Sequence, residues 1–283
     1  MSQEVVMSES RFSLPSEFFE HYASGYEARR LQSGTSQIEL ARTQELMMRY
    51  LPALPSVIFD IGGGPGVYAC WLAKQGYEVH LVDATALHVE LARQASAAQP
   101  DTPLASSEVG DARLLKHPDE SCDVVLLFGP LYHLTERADR LTALQEAHRV
   151  LRAGGLLLAV GISRFASTFD GLRQGLFDDP TFAQIVARDL LDGQHRNPTN
   201  HPEYFTTAFF HHPEELRAEV QESGFLYERI LPVEGPLWLS ENVATDFADQ
   251  QRRDYFLALV RRLEEEPSLL GVSAHLLVVA RKA

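Results

Sequence analysis

Two aspartates and a run of glycines carry the most chemistry in this chain. Asp60 closes an apolar stretch and is followed by Gly62, Gly64 and Gly66 in the pattern D-x-G-x-G-x-G, within FDIGGGPGVYACWLA (59–73). Glycines allow a tight turn and close approach of a ligand to the main chain, and a loop of this kind at a helix N-terminus suits an anionic or polar group. The dinucleotide fingerprint wants G-x-G-x-x-G, so a nicotinamide cofactor fits this spacing poorly. Asp83 ends the run EVHLVD (78–83), where the two oxygens of a carboxylate can accept both hydroxyl hydrogens of a ribose. Asp111 and Ala112 in GDARLL (110–115), then Tyr132 and His133 in FGPLYHL (128–134), stand at corresponding places further on. An imidazole exchanges its proton near neutral pH, which makes His133 the first candidate for a general base, ahead of Tyr22, His211 and Asp170.

Groups spaced in this way need a scaffold that gathers strand ends. SVIF (56–59), EVHLVD (78–83), LASSEV (104–109), DVVLLF (123–128) and LLLAVGI (156–162) are apolar runs of buried-strand length, most of them separated by stretches of helical spacing. Thr135 to Arg152 reads as a crossover helix with Leu141, Leu144, His148 and Leu151 near one face and Gly154 and Gly155 beyond its end. Strand and helix in alternation give an α/β fold with a doubly wound parallel sheet, in which a ligand sits beyond the C-terminal strand ends where the order reverses. The glycine loop, Asp83, Asp111 and His133 all fall there.

The flanks are read as elaborations of that core. Residues 1–52 are expected to form an N-terminal helical cap, with one helix between Pro15 and Leu31 and another opened by a Ser36/Glu39 capping box that runs to Tyr50 and stops at Pro52. Residues 53–163 are the core. Residues 164–204 read as an inserted lid that carries Phe165, Phe169, Phe177, Phe182 and most of the loop DGQHRNPTNHPEYF (192–205). These rings either line an apolar substrate pocket or form the core on which the lid packs. Residues 205–283 return to the core through a helix at Pro213–Ser223 closed by Gly224, the strand FLYERILPV, a helix near 243–266 and a last strand SAHLLVVARK (273–282).

Composition narrows the function. The chain has 283 residues, 45% hydrophobic and 23% charged, enough for one large core with appendages. A formal charge of −14 repels phosphate backbones, so no nucleic-acid partner is expected; the excess keeps the surface soluble or favours a neutral or cationic substrate. No apolar run approaches the roughly 20 residues of a membrane span, and MSQEVVMSES lacks the basic start and apolar core of a signal peptide. Cys70 and Cys122 show no CxxC spacing and are expected to be buried thiols of a cytoplasmic protein. His195, His201, His211 and His212 have no carboxylate or cysteine at a recognised ligand spacing, so no metal is expected.

Taken together, the motifs resemble those of class I S-adenosylmethionine-dependent methyltransferases over about residues 55–163. VIFDIGGGPGVYACWLA is similar to the family's first motif, VHLVDAT to its second, GDARLL to its third and DVVLLFGPLYHL to its fourth, while EAHRVLRAGGLLLAVG resembles the segment leading into its fifth strand. The resemblance implies a seven-stranded Rossmann-like sheet with an antiparallel C-terminal strand. It also implies S-adenosyl-L-methionine as cofactor and S-adenosyl-L-homocysteine as product. By it, Gly62, Gly63, Gly64 and Gly66 pass beneath the methionine part, Asp60 orients the loop or meets the amino group, and Asp83 with Ala84 holds the ribose. Asp111 and Ala112 meet the adenine, and Phe128 lines the pocket. Tyr68 is either a cofactor contact or part of the core.

EHYASGYEARRL, IELARTQELMMRYL and YFTTAFFHHPEEL further resemble a bacterial subgroup of small-molecule methyltransferases whose N-terminal helices and insertion enclose the substrate. Tyr22, Tyr26, Arg30 and Arg42 are thereby candidate cofactor or substrate contacts, joined by Phe169 and His211 as substrate-binding candidates. Tyr132, His133 and Tyr22 are the catalytic candidates. The expected activity is methyl transfer to an O, N or C atom of a small-molecule acceptor under the cap and lid. Alternatives are a protein that keeps the cofactor pocket without transferring a methyl group, methylation of a macromolecule, and an NAD-dependent oxidoreductase.

Overall fold

Strand side chains alternate between two covered faces, and this sets the architecture. The computed structural model describes residues 16–22, 30–31, 34–199 and 201–283. Its strands are β1 (Val57–Ile61), β2 (Glu78–Asp83), β3 (Ser106–Val109), β4 (Cys122–Leu127), β5 (Leu151–Ser163), β6 (Gln194–His195), β7 (Ala208–His211), β8 (Phe225–Pro232) and β9 (His275–Lys282). Ile58, Leu81 and Leu126 join one apolar core, while Phe59, Val82 and Val125 join another on the opposite face. Burial on both faces is why these strands read as unbroken apolar runs.

The strands β3-β2-β1-β4-β5 are parallel neighbours, β9 runs antiparallel along Leu156–Ile162 of β5, and β8 lies antiparallel beyond β9. This is the expected doubly wound, seven-stranded, Rossmann-like sheet with its antiparallel C-terminal strand. Because β1 lies between β2 and β4, the loops after these strands open onto one crevice. The short strands β6 and β7 are an addition that the sequence pattern does not announce. β7 pairs in parallel with only Ile162 and Ser163 of β5, and antiparallel with β6. The segment that follows β5 returns to the sheet at β7.

Helices cover both faces. They are α1 (Ser16–Tyr22), α2 (Ser36–Tyr50), α3 (Val67–Lys74), α4 (Ala86–Ala97), α5 (Pro130–His133), α6 (Arg137–Val150), α7 (Ala166–Gln174), α8 (Pro180–Asp192), α9 (Pro213–Glu222), α10 (Val243–Ala248) and α11 (Gln250–Leu263). Leu46 and Met47 of α2, Leu72 of α3 and Val89 of α4 pack on one face, and Leu144 of α6 with Leu216 and Val220 of α9 pack on the other.

The helix expected between Pro15 and Leu31 is described at Ser16–Tyr22, and most of its remainder lies outside the described residues. Three local expectations change. Ser36 and Glu39 do not form a capping box: Thr35 is the N-cap without a side-chain bond, and both Glu39 oxygens accept from Arg30, at 2.5 and 2.9 Å. The buried face of α6 runs through Arg140, Ala143, Leu144, Ala147 and Val150, and Leu151 already belongs to β5, which continues through Gly154 and Gly155. The helix near 243–266 is interrupted at Asp249, whose carboxylate caps the second piece by accepting from the Arg252 N–H at 2.8 Å. Cys70 and Cys122 are free and buried, and burial pushes the Cys122 thiol up to about 12.

Candidate functional site

A cavity of about 380 Å³ lies at the C-terminal ends of the parallel strands, between the loop after β1, helix α1 and the segment inserted after β5. The glycine loop forms its floor. Gly62, at φ +76°, passes so close to the next strand loop that a Cβ would stand 2.6 Å from Pro130 Cδ. Gly64, at φ +56°, is different: a Cβ there would meet nothing nearer than His88 Nδ1 at 4.0 Å. The first glycine therefore serves the packing of the loop, and the second leaves ligand space bare. Gly63 also lines the floor, whereas Gly66 caps α3 and packs toward Ala92 instead of lining the cavity.

Asp60 lies beneath this loop, 1% exposed, with neither carboxylate oxygen hydrogen-bonded. Burial first, and the negative charge of Asp83 second, raise its pKa to about 7. Asp83 is already well supplied with donors. Its Oδ2 accepts from Gly64 N–H at 2.9 Å, and its Oδ1 accepts from Thr85 N–H at 2.8 Å and faces His88 Nδ1 at 3.2 Å. Ala84, Asp111, Ala112 and Phe128 line the same cavity. Both oxygens of Asp111 are engaged by Arg113, whose other terminal nitrogen reaches Asp139 at 2.7 Å.

Across the cavity, α1 brings Tyr22 over the end of β4. Tyr22 Oη is 2.7 Å from His133 Nε2, and the Tyr22 ring packs edge to face against both His133 and His88, with centroids 5.3 and 5.1 Å away. Tyr132 lines the wall beside them, its hydroxyl 3.5 Å from Phe128 O. Tyr68 also lines the cavity, edge-on to Phe128, and burial holds its phenol well above the ordinary value.

A charged array closes the far wall. Arg30 pairs with Glu39, and His275 Nδ1 lies 2.5 Å from Glu234 Oε1. Burial alone would lower the His275 pKa, but the carboxylates of Glu234 and Glu39 raise it to about 9. Ligand atoms of Glu39, Glu234 and His275 lie within 4.8 Å of one another, a spacing that could hold a metal ion. In this structure Arg30 and an imidazolium neutralise the two carboxylates.

Of the cofactor, catalytic and substrate candidates, the structure gathers most around this one cavity; Gly66, Arg42, Phe169 and His211 lie elsewhere. Arg42 is fully buried behind it, bound to Glu45 at 2.8 Å and Glu264 at 2.7 Å. Phe169 packs into the apolar cluster of Ile38, Trp238 and Phe247. His211 faces Glu219, itself gripped by Arg140; burial would raise the Glu219 pKa, but hydrogen bonds from His211 and Arg140 hold it at about 2. Tyr26 lies outside the described residues. His195 lines the cavity with both ring nitrogens engaged, by Asp189 and by Tyr204 O. Sequence reasoning missed His88, Glu39 and His275. A histidine on the buried face of the helix that follows Asp83 was the available signal for the first; the other two give none.

Comparison with known proteins gives three findings. Residues 59–159 match the family model described as a methyltransferase domain. Among curated proteins, the ubiquinone/menaquinone biosynthesis C-methyltransferase UbiE of Ruegeria sp. is 28% identical over 155 residues, covering 52% of this chain and 60% of that protein. The S-adenosyl-L-methionine-dependent Diels-Alderase iccD of Talaromyces variabilis is 28% identical over 185 residues, covering 54% and 62% respectively. The chain thus spans about three fifths of the length of these relatives. Among solved structures, a methyltransferase from Methanosarcina mazei superposes with a TM-score of 0.56 at 18% identity, over 84% of this chain and 96% of that one, which shows a shared fold. No helix among the described residues is long and apolar enough to cross a membrane.

Proposed function

Because the chain carries a class I S-adenosylmethionine-dependent methyltransferase domain, with S-adenosylmethionine as its cofactor, we propose that it methylates an oxygen, nitrogen or carbon atom of a small molecule enclosed by α1 and the inserted segment. The observation that carries the reading is Asp60. A buried carboxylate left without hydrogen bonds is destabilising by about 1–3 kcal/mol or more, and an ammonium group lying on the glycine loop satisfies it. The bare space over Gly64 and the carboxylate of Asp83 beside it suit the nucleoside end of the same molecule.

Bound there, S-adenosylmethionine supplies an electrophilic methyl group on a sulfonium. The protein's part is to hold the acceptor in line and to take its proton where it carries one. Orientation of two reactants can contribute on the order of 7–11 kcal/mol. Tyr132 and His133, just past β4, and Tyr22 from α1 are the groups placed for the proton. Arg30 is matched to Glu39 and Asp170 to Arg173, while Glu203 adds a carboxylate from the inserted segment, so the wall suits a neutral or cationic acceptor better than an anionic one. The net charge of −14 speaks equally against a nucleic-acid acceptor.

Calorimetric titration with S-adenosylmethionine and S-adenosylhomocysteine, with NADH as control, tests the site; an acceptor screen with labelled methyl donor tests the transfer. Saturable binding of the first two alone is expected. A second reading has one observation in its favour, the likeness to a cofactor-dependent Diels-Alderase: a cofactor held for shape and charge while the acceptor cavity performs a different reaction. Tight cofactor binding with no methyl transfer across a broad panel would establish that reading instead.

A further inference from the structure

We propose that His88 is a cofactor-binding residue whose Nε2 accepts a hydrogen bond from a ribose hydroxyl, sharing the diol with Asp83. The inference rests on the assignment of S-adenosylmethionine to this cavity.

His88 lies in the first turn of α4, lines the cavity and is 4% exposed. Its Nδ1 is 3.2 Å from Asp83 Oδ1. Toward a carboxylate oxygen that accepts, Nδ1 is the donor, and in that tautomer of the imidazole Nε2 offers an acceptor lone pair. That Nε2 is buried without a hydrogen-bond partner. A ring nitrogen left in this state is destabilising unless a ligand donates to it.

The count of lone pairs at Asp83 says which donor is missing one. A carboxylate offers about four acceptor positions. Gly64 N–H, Thr85 N–H and His88 Nδ1–H take three of them. About one remains, whereas a ribose presents two vicinal hydroxyl donors. On the other side of the imidazole, His88 Nε2 is a buried acceptor without a partner on a residue that lines the cavity. The ring is held for this task from two sides, by Asp83 and by Tyr22, whose ring packs against it at 73° and 5.1 Å. It also faces the bare Gly64, where a Cβ would be 4.0 Å from Nδ1, so loop and imidazole bound the same space.

The test is a comparison of hydroxyls in ligand and protein. Dissociation constants are measured by calorimetry for S-adenosylhomocysteine and for its 2′-deoxy and 3′-deoxy analogues, on the wild type, His88→Asn and His88→Gln. Asparagine keeps a donor toward Asp83 and removes the acceptor at the Nε2 position; glutamine restores one at comparable reach. Loss of one hydroxyl should weaken binding to the wild type roughly three- to tenfold. The same loss should matter less than twofold in His88→Asn, and should regain its effect in His88→Gln. His88→Met, which fills similar space with no acceptor, repeats the asparagine arm should that variant fail to fold. Equal sensitivity to both hydroxyls in the wild type and the variants would overturn the proposal, as would a wild type indifferent to either hydroxyl. Failure of the wild type to bind S-adenosylhomocysteine at all would remove the cofactor assignment itself, and His88 with it.

Discussion

Tyr22 Oη lies 2.7 Å from His133 Nε2, joining a helix from before the sheet to the helix that follows its fourth strand. The contact fixes the plane of the imidazole beside the proposed path of the acceptor. With His133 as the proton acceptor, His133→Ala lowers kcat by at least ~100-fold while the cofactor Kd stays within about twofold. Tyr22→Phe, which removes only the hydroxyl, lowers kcat about three- to tenfold. Both follow from methyl-transfer kinetics on an acceptor found in the labelled screen. Unchanged turnover in His133→Ala would clear this histidine of the role.

With a ligand ammonium on Asp60, cofactor binding should depend on pH. Its folded-state pKa, near 7, stands above the ordinary 3.8, because burial and then Asp83 disfavour its charge. The ligand-free fold is therefore favoured with Asp60 protonated; that contribution is complete below pH 3.8 and is lost as pH rises through 7. A ligand ammonium favours the ionised form, so binding at pH 7 should release about half a proton, and affinity should rise between pH 6 and pH 8. Calorimetry in buffers of different ionisation enthalpy reads the proton directly. Asp60→Asn should abolish the release; its persistence would assign the proton to another group.

Gly62 and Gly64 should respond differently to alanine. At Gly62 the new Cβ meets Pro130 Cδ at 2.6 Å, and the φ of +76° is strained, so Gly62→Ala destabilises the fold by about 1–3 kcal/mol through overpacking, read as a lower thermal midpoint. At Gly64 the Cβ finds open space, so Gly64→Ala bears only the strain of its positive φ, about 1–2 kcal/mol, yet places a methyl where the ligand passes. Its cofactor Kd should rise more than tenfold. Equal cofactor affinity in Gly64→Ala and wild type would show that the loop does not touch the ligand there.

Arg140 and Glu219 are a structural pair away from the cavity. Both are buried, with Nε–Oε2 at 2.9 Å and a second terminal nitrogen at 2.7 Å. Glu219→Ala leaves a buried guanidinium unpaired and should destabilise by roughly 3–5 kcal/mol, read by denaturant unfolding. His211→Ala, on the same network, should shift stability and leave cofactor affinity within about twofold. A large loss of affinity there would return His211 to the site.

The residues on the strand-end side of the cavity were legible because they follow successive strands, each a short apolar run ending in a polar or glycine residue. The rest depends on partners far away in the chain. Glu39 stands three residues after Ser36, the spacing of a local cap, yet its carboxylate belongs to Arg30. Arg42 reads as a contact residue, and what buries it is Glu264, 222 positions later. Arg140 sits on the inner face of α6, where an apolar pattern puts no charge, because Glu219 meets it there. Strands β6 and β7 are too short for alternation to show. The burial of His88 comes partly from Tyr22, a residue of another element.

Ser163 and His211 are register partners on adjacent strands, and the N–H of Arg164 donates to His211 O at 2.9 Å. Everything between them leaves and re-enters the sheet at one splice point, about 4.8 Å wide. With the ends pinned so closely, doubling a flexible connection adds only about 0.6 kcal/mol of closure entropy. The stretch is thus a cassette. A change of length within it adds little closure entropy, and the loop after β1, Asp60 and Asp83 lie on strands outside it.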